Sequence, residues 1–283
     1  GLSAATCELT RALSERGDHG RATHVIEEGL QRHPRDPLLW IVRGETALAC
    51  DDHPNAENAA QRALALSRED DRVCLAANAI LARCENQRGT ELATAGELQP
   101  ALFSFKRARD LDPRWAAPLA NMGTTFSLLG RHRRALSFYR AAEELEPQDP
   151  QTLYNIGLEL IQLAQWRAAR TTLEQAIDVQ PASDSANKEL LAQCHRTLAQ
   201  VHRHLGANAR AVRALEVASH LAGAGADIWA ELARAHLSCG EMSKARRAAR
   251  IALNLAPENS TVRQAWMEFA VERARRKSRA GGR

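Results

Sequence analysis

Ten histidines and six cysteines are the residues from which chemistry would be expected first, and their spacing withholds it. His202 and His204 follow His195 within one short stretch, yet no cysteine or carboxylate cluster joins them to complete a zinc set. Cys7, Cys50, Cys74, Cys84, Cys194 and Cys239 contain no CxxC pair, and all fall in stretches that read as helix, where cysteine serves as a small apolar residue. Free thiols in a reducing compartment are the expectation, and with them a cytoplasmic location. No phosphate loop, dinucleotide fingerprint, HExxH or GxSxG occurs. The expectation is therefore no enzyme, no metal and no cofactor.

Two other residue types can do the chemistry of recognition. Asn121 and Asn155 stand 34 residues apart, and an asparagine amide both donates and accepts, so stacked amides can hold a peptide backbone whatever its side chains. Arginine dominates the 38 basic residues, since only Lys106, Lys188, Lys244 and Lys277 are lysines. Guanidinium forks suit carboxylates; a codon bias toward arginine is the plainer account of the excess.

Both patterns need a scaffold that repeats. In Ala116 to Pro147 the order Gly123, Phe126, Gly130, Ala135, Tyr139, Ala142, Leu145, Pro147 recurs up and down the chain. Pro113, Pro147 and Pro181 fall at intervals of 34 residues, a period typical of stacked helix pairs. Apolar residues make up 45% of the chain but aromatics only 4%, so the core rests on Ala and Leu, which suits closely packed helices and argues against an all-β fold. The net charge of +4 is unremarkable for 283 residues. No apolar run of about 18 residues exists to span a membrane, and no signal peptide is evident.

The chain resembles the tetratricopeptide repeat (TPR) family, which implies an all-α, right-handed α–α superhelical solenoid of TPR helix pairs. Seven repeats over 1–259 are expected, beginning at Ser3, Pro37, Asp71, Ala116, Pro150, Asp184 and Ala226, with the third and sixth enlarged. In the third, Asp71 to Arg88 reads as a long first helix and Gly89 to Gly96 as an inserted loop, with the next helix starting near Pro100. A capping helix over 260–276 should follow, then a basic disordered tail, 277–283, able to attract anions weakly.

The resemblance further implies that the first helix of each pair lines a groove that holds a peptide or helix of another protein. Groove residues on this basis are Ile41, Val42, Asn121, Thr124, Tyr154, Asn155, Arg196, Gln200, Arg203 and Arg234. Apolar anchoring would fall to Ile41 and Val42, unless the first repeat buries them. Backbone capture would fall to Asn121 and Asn155, and carboxylate pairing to Arg196, Arg203 and Arg234, unless these form a solvated face. The lysine pair with which some relatives clamp chaperone tails is absent, the matching positions being Ala120, Gln151, Gln193 and Asp227. The function expected is a scaffold or adaptor for a protein partner, one with acidic residues, and without specific nucleic-acid binding. The rivals are the substrate-recognition arm of a larger transferase and a structural subunit of a large assembly.

Overall fold

The computed structural model describes residues 2–67, 70–179, 187–221 and 225–281. Arg68 and Pro181, the expected ends of two repeats, and the start of the sixth at Asp184 lie outside the described residues. Among the described residues the secondary structure is fifteen α-helices without a strand. They are α1 (Leu2–Glu15), α2 (His19–Arg32), α3 (Pro37–Ala49), α4 (His53–Leu66), α5 (Asp71–Thr94), α6 (Leu98–Leu111), α7 (Ala117–Leu128) and α8 (His132–Leu145). Then come α9 (Pro150–Gln162), α10 (Trp166–Asp178), α11 (Asn187–His204), α12 (Asn208–Leu221), α13 (Ala226–Ser238), α14 (Met242–Leu255) and α15 (Ser260–Gly281). Each odd helix packs on the even helix that follows it, and α15 packs on both α13 and α14. The chain forms two compact units, Gly1–Leu145 and Glu146–Arg283, each a stack of such pairs.

The turn inside every pair is set by one residue, at the fifteenth place of its repeat when the third is counted from Ala82 and the sixth from Ala192. Gly17, Asp51, Gly96, Gly130, Ala164, Gly206 and Gly240 all adopt positive φ, and they are the only described residues that do. Each ends its helix with a bond from the next amide back to the carbonyl five residues before, as in Gln165 N–H to Leu160 O at 2.8 Å, the Schellman closure that satisfies stranded carbonyls. Helices α2, α3, α4, α5 and α9 start on Asp18, Asp36, Asp52, Asp70 and Asp149, whose carboxylates accept first-turn amides, a cap worth about 1 kcal/mol each.

Seven places before that residue a small one lets the two helices of a pair touch. A Cβ on Gly89 would stand 2.5 Å from the Phe105 ring, on Gly123 2.8 Å from Tyr139 and on Gly157 2.7 Å from Leu173. In the later repeats Ala199 faces Leu215 and Ala233 faces Ala249, all within one buried cluster. Volume lost on one helix is regained on the other, as close packing demands.

That pairing corrects the expected loop at 89–96. Gly89 is the contact glycine of the third repeat, and α5 runs unbroken for 24 residues where α3 has 13. The extra residues sit at its N-terminal end. Eleven residues make about three turns, so the added segment shows the same face as the rest: Val73, Ala77 and Ile80 pack with Ile41, Ala56 and Ala60 of the second repeat. The buried Glu85 then ties α5 to α6 through Arg107 at 2.9 Å and is also paired with Arg88 of its own helix at 3.0 Å.

Two further expectations are corrected. The terminal helix continues through the basic stretch to Gly281, because Arg276 pairs with Glu272 at 2.9 Å and donates to Gly240 O at 3.3 Å, and Arg and Ala are strong helix formers. Cys50 and Cys239 are not inside helices; both are exposed C-caps.

Candidate functional site

Within each unit the first helices lie side by side: α1 against α3, α3 against α5, α5 against α7, α9 against α11, and α13 against α15. Counted in the frame of Ala116, with the third repeat reset to Ala82 and the sixth to Ala192, the fifth residue of one repeat meets the sixth of the next. At the ends this seam is apolar: Cys7 clusters with Val42 and Ala230 with Ala265, while Ile41 packs instead on the added turns of α5, with Val73 and Ala77. Between them it is polar. Asn121 Nδ2 donates to Asn86 Oδ1 at 2.8 Å, the Tyr154 and Thr197 hydroxyls stand 3.4 Å apart, and Arg196 donates to Glu231 at 2.6 Å. A second row joins the ninth places, Arg11 to Glu45 at 2.8 Å and Arg234 to Glu268 at 3.0 Å.

This seam decides the fate of the expected groove residues. Ile41 and Val42 are 2% and 1% exposed; they are core, covered by the first and third repeats, and the anchoring role is corrected. Asn121 has its amide committed to Asn86, and the exposed Thr124 turns its hydroxyl to Tyr139 Oη at 2.9 Å. Half-buried Asn155 accepts from Gln151 Nε2 at 3.2 Å. Arg196 and Arg234 are paired inside the chain, and the Glu231 hydrogen bond pushes the Arg196 pKa up, keeping it charged. Gln200 and Arg203 are exposed and have no hydrogen-bond or ion-pair partner among the described residues.

The second unit gathers most of what remains. α11 and α13 approach less closely than α9 and α11 do, and Arg196, paired with Glu231, stands on the wall of a cavity of about 660 Å3 lined also by Tyr154, Leu158, Glu189, Gln193, Gln200 and Asp227. One repeat on, a cavity of about 510 Å3 holds Arg203 and Arg234 beside Thr261, Gln264 and Glu268. Tyr154, Arg196 and Gln200 are thus brought together, as are Arg203 and Arg234. Ile41, Val42, Asn121 and Thr124 belong to the first unit. Sequence reading missed Asn86 and Thr197 as contributors, both of which become legible once the third repeat is counted from Ala82 and the sixth from Ala192; Asp227, noted as a position where a clamp lysine would stand, lines the larger cavity.

The histidines of α11 follow their burial. His202 is buried and His195 half-buried; the Nδ1 of each has no partner among the described residues, and burial holds both pKa values below the ordinary imidazole value. His204 stacks on Trp166 at 3.9 Å. Among the described residues no three His, Cys, Asp or Glu side chains gather as metal ligands, and no described helix is long and apolar enough to cross a membrane.

Stacked antiparallel helix pairs that leave amides and guanidinium groups on their inner surface define a class, the α-solenoid scaffolds that engage other proteins. Family models of the tetratricopeptide repeat match residues 7–71, 116–149 and 150–183, so these stretches are tetratricopeptide repeats. Among solved structures it is similar to the C-terminal part of a TPR repeat-containing protein from Cytophaga hutchinsonii (15% identity, TM-score 0.58, 92% of this chain and 98% of that one). It is also similar to YrrB, a TPR protein described as having an unusual peptide-binding site (16%, 0.56, 75% and 100%). A third likeness, to a chain of the APC/C hetero-tetramer Cut9–Hcn1, has 18% identity and a TM-score of 0.56; it covers 92% of this chain but only 48% of the other. At such identities the likeness speaks for the fold. No curated protein matches the sequence.

Proposed function

We propose that the chain is a non-enzymatic scaffold whose second unit receives a segment of another protein along α9, α11 and α13. The observation that carries this reading is the cavity of about 660 Å3 between those helices. Its walls offer what a peptide backbone needs: Tyr154 at one side, and the exposed amides of Gln193 and Gln200 at the other, each able to donate and accept. Arg196 acts as a wall rather than a free fork, since Glu231 neutralises it. Selectivity for an acidic side chain then rests on Arg203, which has no ion-pair partner among the described residues.

A photoreactive phenylalanine analogue at Gln200 should capture the partner. The identified partner, purified, should bind the Gln193→Ala/Gln200→Ala variant about tenfold more weakly than wild type, the cost of about two hydrogen bonds. An unchanged affinity in that double variant rejects this placement of the site. Arg203→Glu should weaken binding further and make it less sensitive to salt.

A further inference from the structure

The opposite side of the second unit carries a built surface that inner-groove binding leaves unused. α12 and α14 flank a cavity of about 690 Å3 with Val217 on one wall and Trp229 and Leu232 of α13 at its floor. Trp229, Leu232 and His236 lie half a helical turn round α13 from Asp227 and Glu231, so this recess and the inner cavity share a helix and no lining residue.

Arg213, Lys244 and Arg247 line it against Glu216, and the two flanking helices carry further cations. α14 has Lys244, Arg246, Arg247 and Arg250, all exposed, and no carboxylate. α12 adds exposed Arg210 and Arg213 against Glu216. Lys244 pairs with Glu241 at 3.2 Å, whereas none of the five arginines has an ion-pair partner among the described residues. Within α14 these charges stand three and four residues apart, spacings at which like charges destabilise a helix. The buried face of α14 is Ala245, Ala248, Ala249 and Ala252, so the arginines add nothing to packing. The arrangement costs stability and has no return inside the fold.

We infer that this recess docks an acidic amphipathic segment of a partner protein, with an apolar side chain seated against Trp229 and Leu232 and carboxylates on Arg213 and Arg247. Charge complementarity chooses the partner's sign. The apolar lining of Val217, buried Leu232 and half-buried Trp229 favours a peptide side chain over nucleic acid, because stacking on bases needs an exposed aromatic face, and no exposed Phe, Tyr or Trp lines the recess.

The test uses the whole chain and a fluorescein-labelled Glu/Leu peptide of about 16 residues, long enough for a helix to form on docking, its leucines at helical i, i+3, i+4, i+7 spacing. Fluorescence anisotropy should show saturable binding. Arg213→Glu/Arg247→Glu should weaken it about tenfold or more through lost charge pairing, and Leu→Ser in the peptide should weaken it comparably. Arg133→Glu/Arg140→Glu in the first unit, an identical change of net charge, and Gln193→Ala/Gln200→Ala on the inner surface should leave it unchanged; circular dichroism verifies that each variant is folded. The inference is overturned if the peptide fails to bind, if the control charge variant loses as much as the recess variant, if the serine peptide binds equally well, or if a single-stranded oligonucleotide binds in its place and tighter.

Discussion

Ala164 holds the left-handed place that glycine holds in five of the seven repeats, with φ at 57°. For an L-residue with a Cβ this conformation costs about 1 kcal/mol or more, partly offset because glycine gains more freedom on unfolding. Ala164→Gly should therefore raise the melting temperature by about 1–3 °C, with no change in the interaction surface. A lower melting temperature would mean that the surrounding turn has already absorbed the strain. Asp51 occupies the same place in the second repeat, where Asn and Asp tolerate the conformation better than Ala. The positions of these turns were legible from the glycine spacing alone; that Ala164 bends the same way follows only from the interval of 34 residues to Gly130.

At the scale of the helix, the small-against-large exchange between the two members of a pair should behave as one energetic unit. Gly157→Ala forces a Cβ to 2.7 Å from Leu173, an overpacking worth about 1–3 kcal/mol that exceeds the gain of about 1 kcal/mol in helix propensity. Leu173→Ala alone should cost about 2–5 kcal/mol by leaving a cavity. Combined, the two reproduce the Ala233 and Ala249 pairing of the seventh repeat, and urea denaturation should show a joint loss smaller than the sum by about 1 kcal/mol or more. Strict additivity would show that the two helices do not share this contact. The same logic explains the miss in the third repeat. Gly89 read as a loop residue because glycine in a polar stretch resembles a turn, whereas its partner Phe105, sixteen residues on, marks it as a helix contact.

Across the second unit, pH should act through α11. Burial lowers the pKa of His195, and burial, opposed by Glu174 but assisted by Arg210, Arg170 and Arg213, lowers that of His202. The sign follows from proton uptake: below the ordinary value of 6.5 the unfolded chain binds protons that the folded chain refuses. Stability is therefore fully present above about pH 6.5 and declines as pH falls toward the folded values. Thermal melts between about pH 7.5 and 5.5 should show this decline, and His195→Asn/His202→Gln should flatten it; an equally steep profile in the variant would place the proton uptake elsewhere.

Taken as a whole, the chain announces its architecture and conceals its surface. Periodicity, turn glycines and the alternation of small and large residues determined the helix pairs, because each of these is a local requirement that recurs every repeat and so appears in the sequence many times over. Which polar residues remain available was decided only by the tertiary structure. Neighbouring first helices lie close enough for the fifth place of one repeat to bond to the sixth of the next, so Asn121 and Arg196 spend themselves on Asn86 and Glu231 and Ile41 and Val42 vanish into the core. A three-turn extension of α5 preserves its face and thus hides from any periodic reading. Whether a side chain faces a partner or a neighbouring repeat depends on the distance between two helices about 35 residues apart, a length that no pattern within either helix records.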